Sequence, residues 1–208
     1  MIESGFSLMS VPDLIHPDVI SACGMKVEGE RTQVYQLDPV YGQVALSGTA
    51  EMALGGYLAG KMIADTDLPG RLCAVSRCYR AETGRQGEER GLYRVHQFTK
   101  VEMFCVTRGQ ADHSKKALEM IHGIERKMFT ELGLAFRVLD MCGEELGDPA
   151  AEKYDVEAWL PGRAMWGEIS SCSNCTDYQA RRLGIRDEHG QYCHTGIVVM
   201  FSFHHRKV

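Results

Sequence analysis

Residues 77 to 102 read Arg77-Cys-Tyr-Arg-Ala-Glu-Thr-Gly-Arg-Gln-Gly-Glu-Glu-Arg-Gly-Leu-Tyr-Arg-Val-His-Gln-Phe-Thr-Lys-Val-Glu102. Two strand-like runs flank a long charged loop, and arginines and acids lie just inside each strand end. The connection from Ala81 to Leu92 is far longer than a tight turn, which favours a loop that covers a ligand. The stretch predicts a β-hairpin that holds an anionic ligand, and a solvated charged loop is the alternative.

The charge of the chain is unevenly distributed around this hairpin. The net charge of −5 over 208 residues argues against bulk electrostatic binding of nucleic acid. Residues 71–100 nevertheless carry seven Lys or Arg against three acids, a local charge of +4. Such a local excess is typical of a focused anion site.

The remaining composition predicts one globular domain. The chain has no 18-residue apolar run, so we expect no transmembrane helix. Residues 1–20 contain three acids and neither Arg nor Lys, which is unlike a signal or transit peptide. The eight cysteines are scattered through apolar surroundings, and we expect buried, reduced thiols.

Strands predominate in the predicted secondary structure. Alternation and turn residues predict strands over 7–11, 34–37, 44–46, 72–80, 95–107, 135–141, 154–159 and 164–170. Helices are predicted over 16–22, from Ser47 or Thr49 as N-cap to about 63, over 114–132 and over 177–183. The third helix has an apolar face made of Leu118, Ile121, Ile124, Met128 and Leu132. Since strands and helices do not alternate regularly, we predict an α+β fold with an antiparallel sheet flanked by helices.

Strand periodicity divides residues 95–107 into two faces. One face carries His96, Phe98, Lys100, Glu102 and Phe104, whereas the other, with Met103 and Cys105, has the more core-like composition. Phe98 and Glu102 are roughly 13 Å apart along a strand. This span suits a ligand with a flat ring at one end and a cationic group at the other, such as an aminoacyl-adenylate. A half-exposed strand with ordinary salt bridges is the alternative.

Two further segments carry groups of the kind such a site needs. Arg80 and Glu82 share a strand parity, and the planar guanidinium of Arg80 suits a phosphate or carboxylate. Thr49 and Glu51 place a hydroxyl and a carboxylate at a helix start, where simple helix capping is the alternative.

Residues 168–175 suggest two different kinds of metal site. The run from Glu168 to Ser171 offers a carboxylate and two hydroxyls, which suit Mg²⁺ bound together with phosphates. Cys172 and Cys175 have the spacing of a zinc knuckle or a redox pair. Packed, reduced thiols are the alternative for that pair.

Four segments, taken in order, resemble class II aminoacyl-tRNA synthetases, and specifically seryl-tRNA synthetase. They are Thr49-Ala-Glu51; Arg80-Ala-Glu82 with Gly91-Leu-Tyr-Arg-Val-His-Gln-Phe-Thr-Lys-Val-Glu102; Tyr154-Asp-Val-Glu-Ala-Trp-Leu-Pro161; and Glu168-Ile-Ser-Ser-Cys-Ser-Asn-Cys-Thr-Asp-Tyr-Gln-Ala-Arg-Arg182. The resemblance covers about residues 5 to 186, and the hairpin is most similar to the animal mitochondrial form.

The resemblance implies a serine--tRNA ligase that activates serine with ATP and transfers it to tRNA(Ser) in protein biosynthesis. It implies catalytic roles for Arg80 and Glu102, with Arg80 on the α-phosphate and the serine carboxylate. The implied serine-binding residues are Thr49, Ala50, Glu51 and Glu102. The implied ATP-binding residues are Arg80, Ala81, Glu82 at the adenine amino group, Phe98 stacked on the ring, Glu168, Ile169, Ser170 and Ser171. The implied Mg²⁺ ligands are Glu168 and Ser171.

The chain departs from the family pattern at both ends. We expect a partial catalytic domain over 1–186, without the tRNA-binding arm or the motif 1 helix of this homodimeric family, and a divergent C-terminal tail over 187–208. No motif 3 arginine can be assigned after Arg186, and Arg206 is a poor substitute. The chain is therefore predicted to be weakly active or inactive alone, and a mitochondrial matrix location is expected, otherwise a cytoplasmic one.

Two alternatives stay open on the sequence. A non-catalytic, synthetase-derived binding or regulatory protein would explain the loss of both ends. A relative that charges a carrier protein would be a zinc enzyme with a cysteine at the position of Thr49, and Thr49 argues against it.

Overall fold

The predicted hairpin forms part of a seven-stranded sheet. A computed structural model of the chain describes residues 1–29, 32–82 and 95–203, and for 198–203 the backbone alone. The strands are β1 (Ser7–Met9), β5 (Gly70–Tyr79), β6 (Gln97–Thr107), β7 (Phe136–Asp140), β8 (Glu152–Leu160), β9 (Met165–Thr176) and β11 (His194–Phe203). Their spatial order is β1-β5-β6-β11-β9-β8-β7. Residues 83–94 of the predicted ligand-covering loop lie outside the described residues.

All neighbouring strands of this sheet are antiparallel except one pair. β1 runs parallel to β5, with Ser7 opposite Leu72. Two small sheets join β2 (Leu14–Ile15) to β3 (Ala45–Leu46) and β4 (Met62–Ile63) to β10 (Arg186–Asp187). The predicted strand over 34–37 is reduced to an isolated bridge at Gln36. The predicted α+β fold with an antiparallel sheet is confirmed, apart from the parallel pair at one edge.

Helices cover both faces of the large sheet. They are α1 (Pro17–Ala22), α2 (Ala50–Leu58), α3 (Ala111–Glu131) and α4 (Tyr178–Leu183). One core lies between α3 and the sheet, and a second lies between the opposite face and α1, α2 and α4. None of the helices in the described ranges is long and apolar enough to cross a membrane.

The apolar face of α3 confirms most of the predicted helix pattern. Leu118 and Ile121 are fully buried, and Phe129, which was not predicted on this face, is fully buried with them. Leu132 was predicted on the same face, but it lies just past the helix end and is 55% exposed. Each fully buried side chain of this size contributes about 1.5–3 kcal/mol of burial free energy, so this face anchors α3 to the sheet.

Helix α2 is shorter than the predicted helix that ran to about residue 63. It ends at Leu58, because Ala59 has an extended backbone with ψ 130°. Gly60 then has φ +71°, which lies in the left-handed region that glycine adopts without a Cβ penalty. The apolar run continues as strand β4 and not as helix.

The polar face of β6 is buried, so the alternative of a half-exposed strand with ordinary salt bridges does not describe it. Lys100 is 1% exposed and Glu102 is 0% exposed, as buried as Met103 on the opposite face. The reason is that helices lie on both sides of the sheet. Polar side chains on a strand buried in this way require hydrogen-bond and charge partners.

The C-terminal part of the chain contributes more regular structure than the sequence predicted. β9 continues to Thr176, six residues beyond its predicted end, because β8 and β11 pair with it on either side. β11 falls in the predicted divergent tail, yet its backbone lies between β6 and β9 at the centre of the sheet. The domain boundary proposed at residue 186 stays a prediction. Strand β11, which lies beyond that boundary, belongs to the seven-stranded sheet.

Candidate active site

A buried polar cluster lies where α2 begins above β6. Thr49 occupies the N-cap position of α2, but its side chain makes no capping hydrogen bond. Its hydroxyl donates to Glu102 Oε1 and accepts from Lys100 Nζ at 2.6 Å. Lys100 Nζ also lies 2.9 Å from Glu102 Oε1. The hydroxyl thus belongs to a buried polar cluster, so the capping alternative does not describe it.

Glu51 joins the cluster from the first turn of α2. Its backbone N–H donates to Glu102 Oε2 at 3.1 Å. Its own carboxylate accepts from Gln179 Nε2 on α4, and Gln179 Oε1 in turn accepts from Thr195 Oγ1 on β11 at 2.8 Å. α4 and β11 therefore hold the acidic end of the site in place. Ala50, between Thr49 and Glu51, is 1% exposed and packs in the core.

The electrostatics of the cluster favour an added cation. Burial raises the pKa of Glu51 to about 7, and the nearby charge of Glu102 adds to that effect. Lys100, the hydrogen bond from Gln179 and Arg80 act in the opposite direction. Within the cluster, two carboxylates share one ammonium group. A ligand ammonium would offset the remaining negative charge and favour ionised Glu51.

Arg80 and Phe98 lie together on the hairpin. The guanidinium carbon of Arg80 is 5.3 Å from the centroid of the Phe98 ring, and Arg80 donates through its backbone to the His96 carbonyl at 3.0 Å. The side-chain Nε of Arg80 is buried and has no hydrogen-bond partner among the described residues. A cation with a spare donor beside an aromatic face suits a ligand with an anionic group next to a flat ring.

The predicted parity of Arg80 and Glu82 is wrong. β5 ends at Tyr79, so both residues follow the strand, and Glu82 has φ +43° in the left-handed region. Ala81 donates through its backbone to the Gln33 carbonyl at 2.9 Å. The adenine contact implied for Glu82 stays a prediction, because the loop beyond it lies outside the described residues.

A β-bulge in β9 decides which side chains face the site. Glu168 pairs with Glu157 and Ser170 pairs with Val156, so Ile169 is an extra residue. Strand parity would put Glu168 and Ser171 on opposite faces, and the extra residue returns them to one face. Glu168 is exposed and Ser171 is half-buried.

Sheet register connects this face to the polar cluster. Glu102 on β6 pairs with Val199 on β11, which pairs with Ser171 on β9. Residues paired across strands lie on one face, so Glu102 and Ser171 are two strand spacings apart, roughly 10 Å. The separately predicted segments therefore converge on one face of the sheet.

Ser170 is the exception among the predicted ATP-binding residues. Its hydroxyl points to the opposite face and donates to Glu125 of α3. It is 2% exposed, so this side chain cannot reach a ligand beside Glu102. The bulge is the physical reason, since it turns Ser170 away while it brings Ser171 forward.

Two small cavities lie at or near Glu51, at the edge of the polar cluster. One of about 140 Å³ is lined by Glu51, Ser171, Ser173 and the Pro149–Ala150 turn. A neighbouring cavity of about 290 Å³ shares Pro149 with it. A larger cavity of about 370 Å³ lies on the α3 side and contains none of the predicted site residues. The small cavity next to Glu51 matches a small polar ligand.

The zinc-knuckle hypothesis is not supported by the placement of its two thiols. Cys172 packs in the core under α3, whereas Cys175 packs in the core under α1, α2 and α4. The two sulfur atoms thus lie on opposite sides of the sheet and face no common centre. All eight cysteines are free and seven are buried, as expected; Cys142 is exposed.

Sequence reasoning missed two residues of the site. Gln179 and Thr195 form the support beneath Glu51, and both are 0% exposed. Gln179 lies within a segment that carries the family resemblance, and that position was the signal available in the sequence. Thr195 carried no local signal, because its role depends on the central position of β11.

The chain matches a known protein family over most of its length. Residues 34–203 match the tRNA synthetase class II core domain (G, H, P, S and T). The chain belongs to this family. The class II core match extends through β11, so the strand in the predicted tail lies inside the matched range.

Serine--tRNA ligases are among the relatives of this chain. The mitochondrial serine--tRNA ligase of Bos taurus is 48% identical over 200 residues, which cover 94% of this chain and 39% of the relative. The serine--tRNA ligase of Dictyoglomus turgidum is 45% identical over 187 residues, or 89% of this chain and 43% of the relative. The chain spans about two fifths of the length of these curated relatives.

Solved structures agree with the sequence comparison. The seryl-tRNA synthetase of Pyrococcus horikoshii complexed with ATP superposes with a TM-score of 0.87 at 35% identity, covering 97% of this chain and 45% of that one. The cytoplasmic serine-tRNA ligase of Naegleria fowleri in complex with AMP gives 0.89 at 29% identity, with 97% and 43% coverage. The resemblance to seryl-tRNA synthetases and the class II catalytic fold are confirmed.

Proposed function

We propose that this chain is the adenylate-forming part of a serine--tRNA ligase, which binds L-serine and ATP and makes seryl-adenylate for transfer to tRNA(Ser). The observation that carries the proposal is the buried cluster of Thr49, Glu51, Lys100 and Glu102 on the same sheet face as Ser171. The named relatives are ligases, so the comparisons do not favour the non-catalytic alternative.

Serine recognition rests on charge and size. The ammonium group of serine would be held by the carboxylates of Glu102 and Glu51 and by the Thr49 hydroxyl. The cavity of about 140 Å³ beside Glu51 leaves room for a small side chain. Buried polar groups that lose their partner when a ligand hydroxyl is absent give strong discrimination. Ser171 and Ser173 line this cavity and would bond to the serine hydroxyl, so alanine would leave them without that partner and serine would be preferred.

Activation requires positioning and charge stabilisation more than a protein nucleophile. A carboxylate oxygen of serine bonds to the α-phosphorus of ATP, and the bond from that phosphorus to the oxygen bridging to the β-phosphate breaks, which releases pyrophosphate. Arg80 would offset the charge that develops on the α-phosphate oxygens. Phe98, beneath the guanidinium, would carry the adenine ring.

Glu168 and Ser171 fit a magnesium ion chemically. They offer a carboxylate and a hydroxyl oxygen on one accessible face, and Mg²⁺ binds through one or two such protein ligands plus substrate phosphates. When bound, the ion would supply positive charge to the ATP phosphates. These two side chains would hold and orient it beside the serine site.

The wider setting of the activity is part of the same proposal. The family implies tRNA(Ser) as acceptor and a homodimer, although the motif 1 helix that builds the dimer interface of the family is not recognised in this chain. A mitochondrial matrix location is proposed from individual relatives. The mitochondrial proteins of Bos taurus and Mus musculus support that location, although a bacterial relative is nearly as similar.

Direct binding and pyrophosphate exchange test the proposal together. Calorimetry with a non-hydrolysable seryl-adenylate analogue should show saturable binding, weaker by on the order of 10²-fold or more for the alanyl analogue. Serine-dependent ATP–pyrophosphate exchange should be measurable but low. Equal binding of both analogues, or no binding of either, would contradict the proposed function.

Two arginine variants test whether analogue binding and pyrophosphate exchange depend on the proposed site. Arg80→Ala should reduce analogue affinity and exchange by about 10²–10³-fold, because it removes a charge aimed at the reacting phosphate. Arg126→Ala changes an exposed arginine on α3, on the opposite face of the sheet, and should leave both readouts unchanged. Equal losses in the two variants would point to a general folding defect.

A further inference from the structure

The face of the sheet opposite the active site carries a second cluster of ligand-type side chains. His122 and Glu125 lie three residues apart on α3, and Cys172 faces them from β9. One ligand atom from each of the three lies within 4.8 Å of the others. Glu125 and Cys172 are 0% exposed, and the His122 side chain is 15% exposed.

Among the described residues, the buried Glu125 carboxylate has no permanently charged cation beside it. No Lys or Arg in the part of the chain that the structure describes forms an ion pair with this carboxylate. Its partners are the Ser170 hydroxyl, the Cys172 thiol and His122 Nδ1 at 3.4 Å, and the His122 contact is an ion pair only when the imidazole is protonated. The equally buried Glu102 has Lys100 within 2.9 Å. A buried carboxylate is costly without a paired positive charge, so a bound cation would complete the surroundings of Glu125.

The donor set selects the kind of cation. Imidazole nitrogen, thiolate sulfur and carboxylate oxygen together are typical of Zn²⁺, whereas Mg²⁺ takes oxygen ligands. Zinc–ligand bonds of this type place donor atoms about 3.3–3.8 Å apart in a tetrahedron. The distance from His122 Nδ1 to Glu125 Oε2 is already 3.4 Å.

Neighbouring side chains orient these donors. The Tyr154 ring stacks on the His122 ring, with centroids 5.0 Å apart and an interplanar angle of 28°. Ser170 donates to Glu125 Oε1, which leaves Oε2 facing His122. Such outer contacts fix ligand orientation in metal sites. The partial exposure of His122 provides a route of entry and a place for a water ligand.

We propose that His122, Glu125 and Cys172 form a Zn²⁺ site that joins α3 to β9 behind the active-site face. The Cys172 thiol loses its proton on binding, and the ion bonds to the sulfur, to an imidazole nitrogen and to a carboxylate oxygen. The site links a helix to the sheet, so its role is structural. It is independent of the proposed ligase activity, since none of its ligands lies on the Glu102 face.

Cobalt substitution tests the site through its spectrum. The full chain, prepared without a histidine tag and freed of metal, should bind one equivalent of Co²⁺ with a sulfur-to-cobalt charge-transfer band and tetrahedral visible bands. Zn²⁺ should abolish that spectrum, and Mg²⁺ should not. Failure to bind one equivalent, or a spectrum without the sulfur band, would overturn the proposal.

Variants and controls locate the ligands. Cys172→Ser, His122→Gln and Glu125→Gln should each lose or strongly weaken the spectrum; His122→Gln alters a partly exposed side chain and keeps the test valid if a core variant fails to fold. Cys175→Ser and His113→Gln change a thiol on the other face and another histidine of α3, and both should keep it. Retention in His122→Gln, or loss in Cys175→Ser, would disprove the assignment.

Thermal unfolding supplies a readout besides the spectrum. Zn²⁺ at a hundredfold excess over its Kd should raise the Tm of the unaltered chain by about 5 °C or more. The His122→Gln chain should show no such rise. An equal shift in both proteins would mean that zinc acts elsewhere.

Discussion

Glu102 and the partly buried Glu51 are two carboxylates that share one buried ammonium group, that of Lys100. Side chains of this kind are costly to bury, and they persist where the polar groups around them are complementary. Because Thr49 and Gln179 supply hydrogen bonds to the carboxylates, the cluster holds its geometry before a ligand arrives.

The raised pKa of Glu51 makes stability depend on pH. Burial raises it from 4.5 to about 7, so between these values the folded state binds more protons than the unfolded state. The free energy of unfolding therefore falls as pH rises from about 4.5 to about 7. Glu51→Gln should remove this fall and make the variant up to about 3 kcal/mol more stable than the parent at pH 8, with little difference near pH 4.5.

Denaturant unfolding at several pH values measures the Glu51 effect. Glu144→Gln changes an exposed acid and should follow the parent at every pH. The same pH dependence in the parent and in Glu51→Gln would show that Glu51 ionises normally in the folded chain.

The Lys100–Glu102 pair should be strongly coupled. Lys100→Met or Glu102→Gln alone leaves a buried charge without its partner and should cost about 3–5 kcal/mol of stability. The double variant should cost clearly less than the summed single costs. Urea unfolding of the four proteins measures the coupling free energy, and additive costs would contradict it.

A surface ion pair on α3 serves as the comparison. Lys127 and Glu131 lie 3.8 Å apart with both side chains exposed. Lys127→Met should change stability by no more than about 0.5 kcal/mol. A cost comparable to that of Lys100→Met would mean that burial is not what makes the inner pair matter.

At the scale of elements, the position of α3 depends on a close approach between two connections. Gly109 lies between β6 and α3, and a Cβ atom there would overlap the Tyr192 carbonyl oxygen that precedes β11. Gly123 lies within α3, exposed, with no heavy atom near its Cβ position. A side chain is therefore sterically excluded at Gly109, whereas there is room for one at Gly123.

Alanine at these two glycines should have opposite effects on stability. Gly109→Ala should destabilise the chain by about 1–3 kcal/mol, since backbone must move to make room. Gly123→Ala should stabilise it by about 0.5–1 kcal/mol through helix propensity. Thermal unfolding of the two variants measures both, and the same sign of change in each would contradict this account.

The elements also show how far local signals extend. The amphipathic pattern of Leu118 and Ile121 predicted α3 because helical spacing is local. The length of β9 was predicted less well, because its last residues are held by pairing with β8 and β11, which are distant in sequence from each other. The bulge at Ile169 had no local signal, although it decides that Ser171 and not Ser170 faces the site.

For the whole molecule, β11 is the strand that joins the two halves of the sheet. It pairs with β6 on one side and with β9 on the other. Without it, β1-β5-β6 and β9-β8-β7 would be separate three-stranded sheets, each with a new unpaired edge.

C-terminal truncation should therefore abolish cooperative unfolding only when it removes β11. A chain that ends at Cys193 should lose cooperative unfolding, because both ladders and the Thr195–Gln179 hydrogen bond are removed. A chain that ends at Phe203 retains every pair in the β11 register and should unfold like the full chain. Circular dichroism during heating distinguishes them, and cooperative unfolding of the shorter chain would refute a central role for β11.

The sequence by itself determined the family, the hairpin strands, helix α3 and most of the residue types of the site, since motifs and periodicities are properties of neighbouring positions. The tertiary structure decided that the Lys100–Glu102 face is buried, that Gln179 and Thr195 support Glu51, and that residues 194–203 complete the sheet. The physical reason is that burial, strand order and bulges depend on partners far away in the chain, which no local pattern specifies.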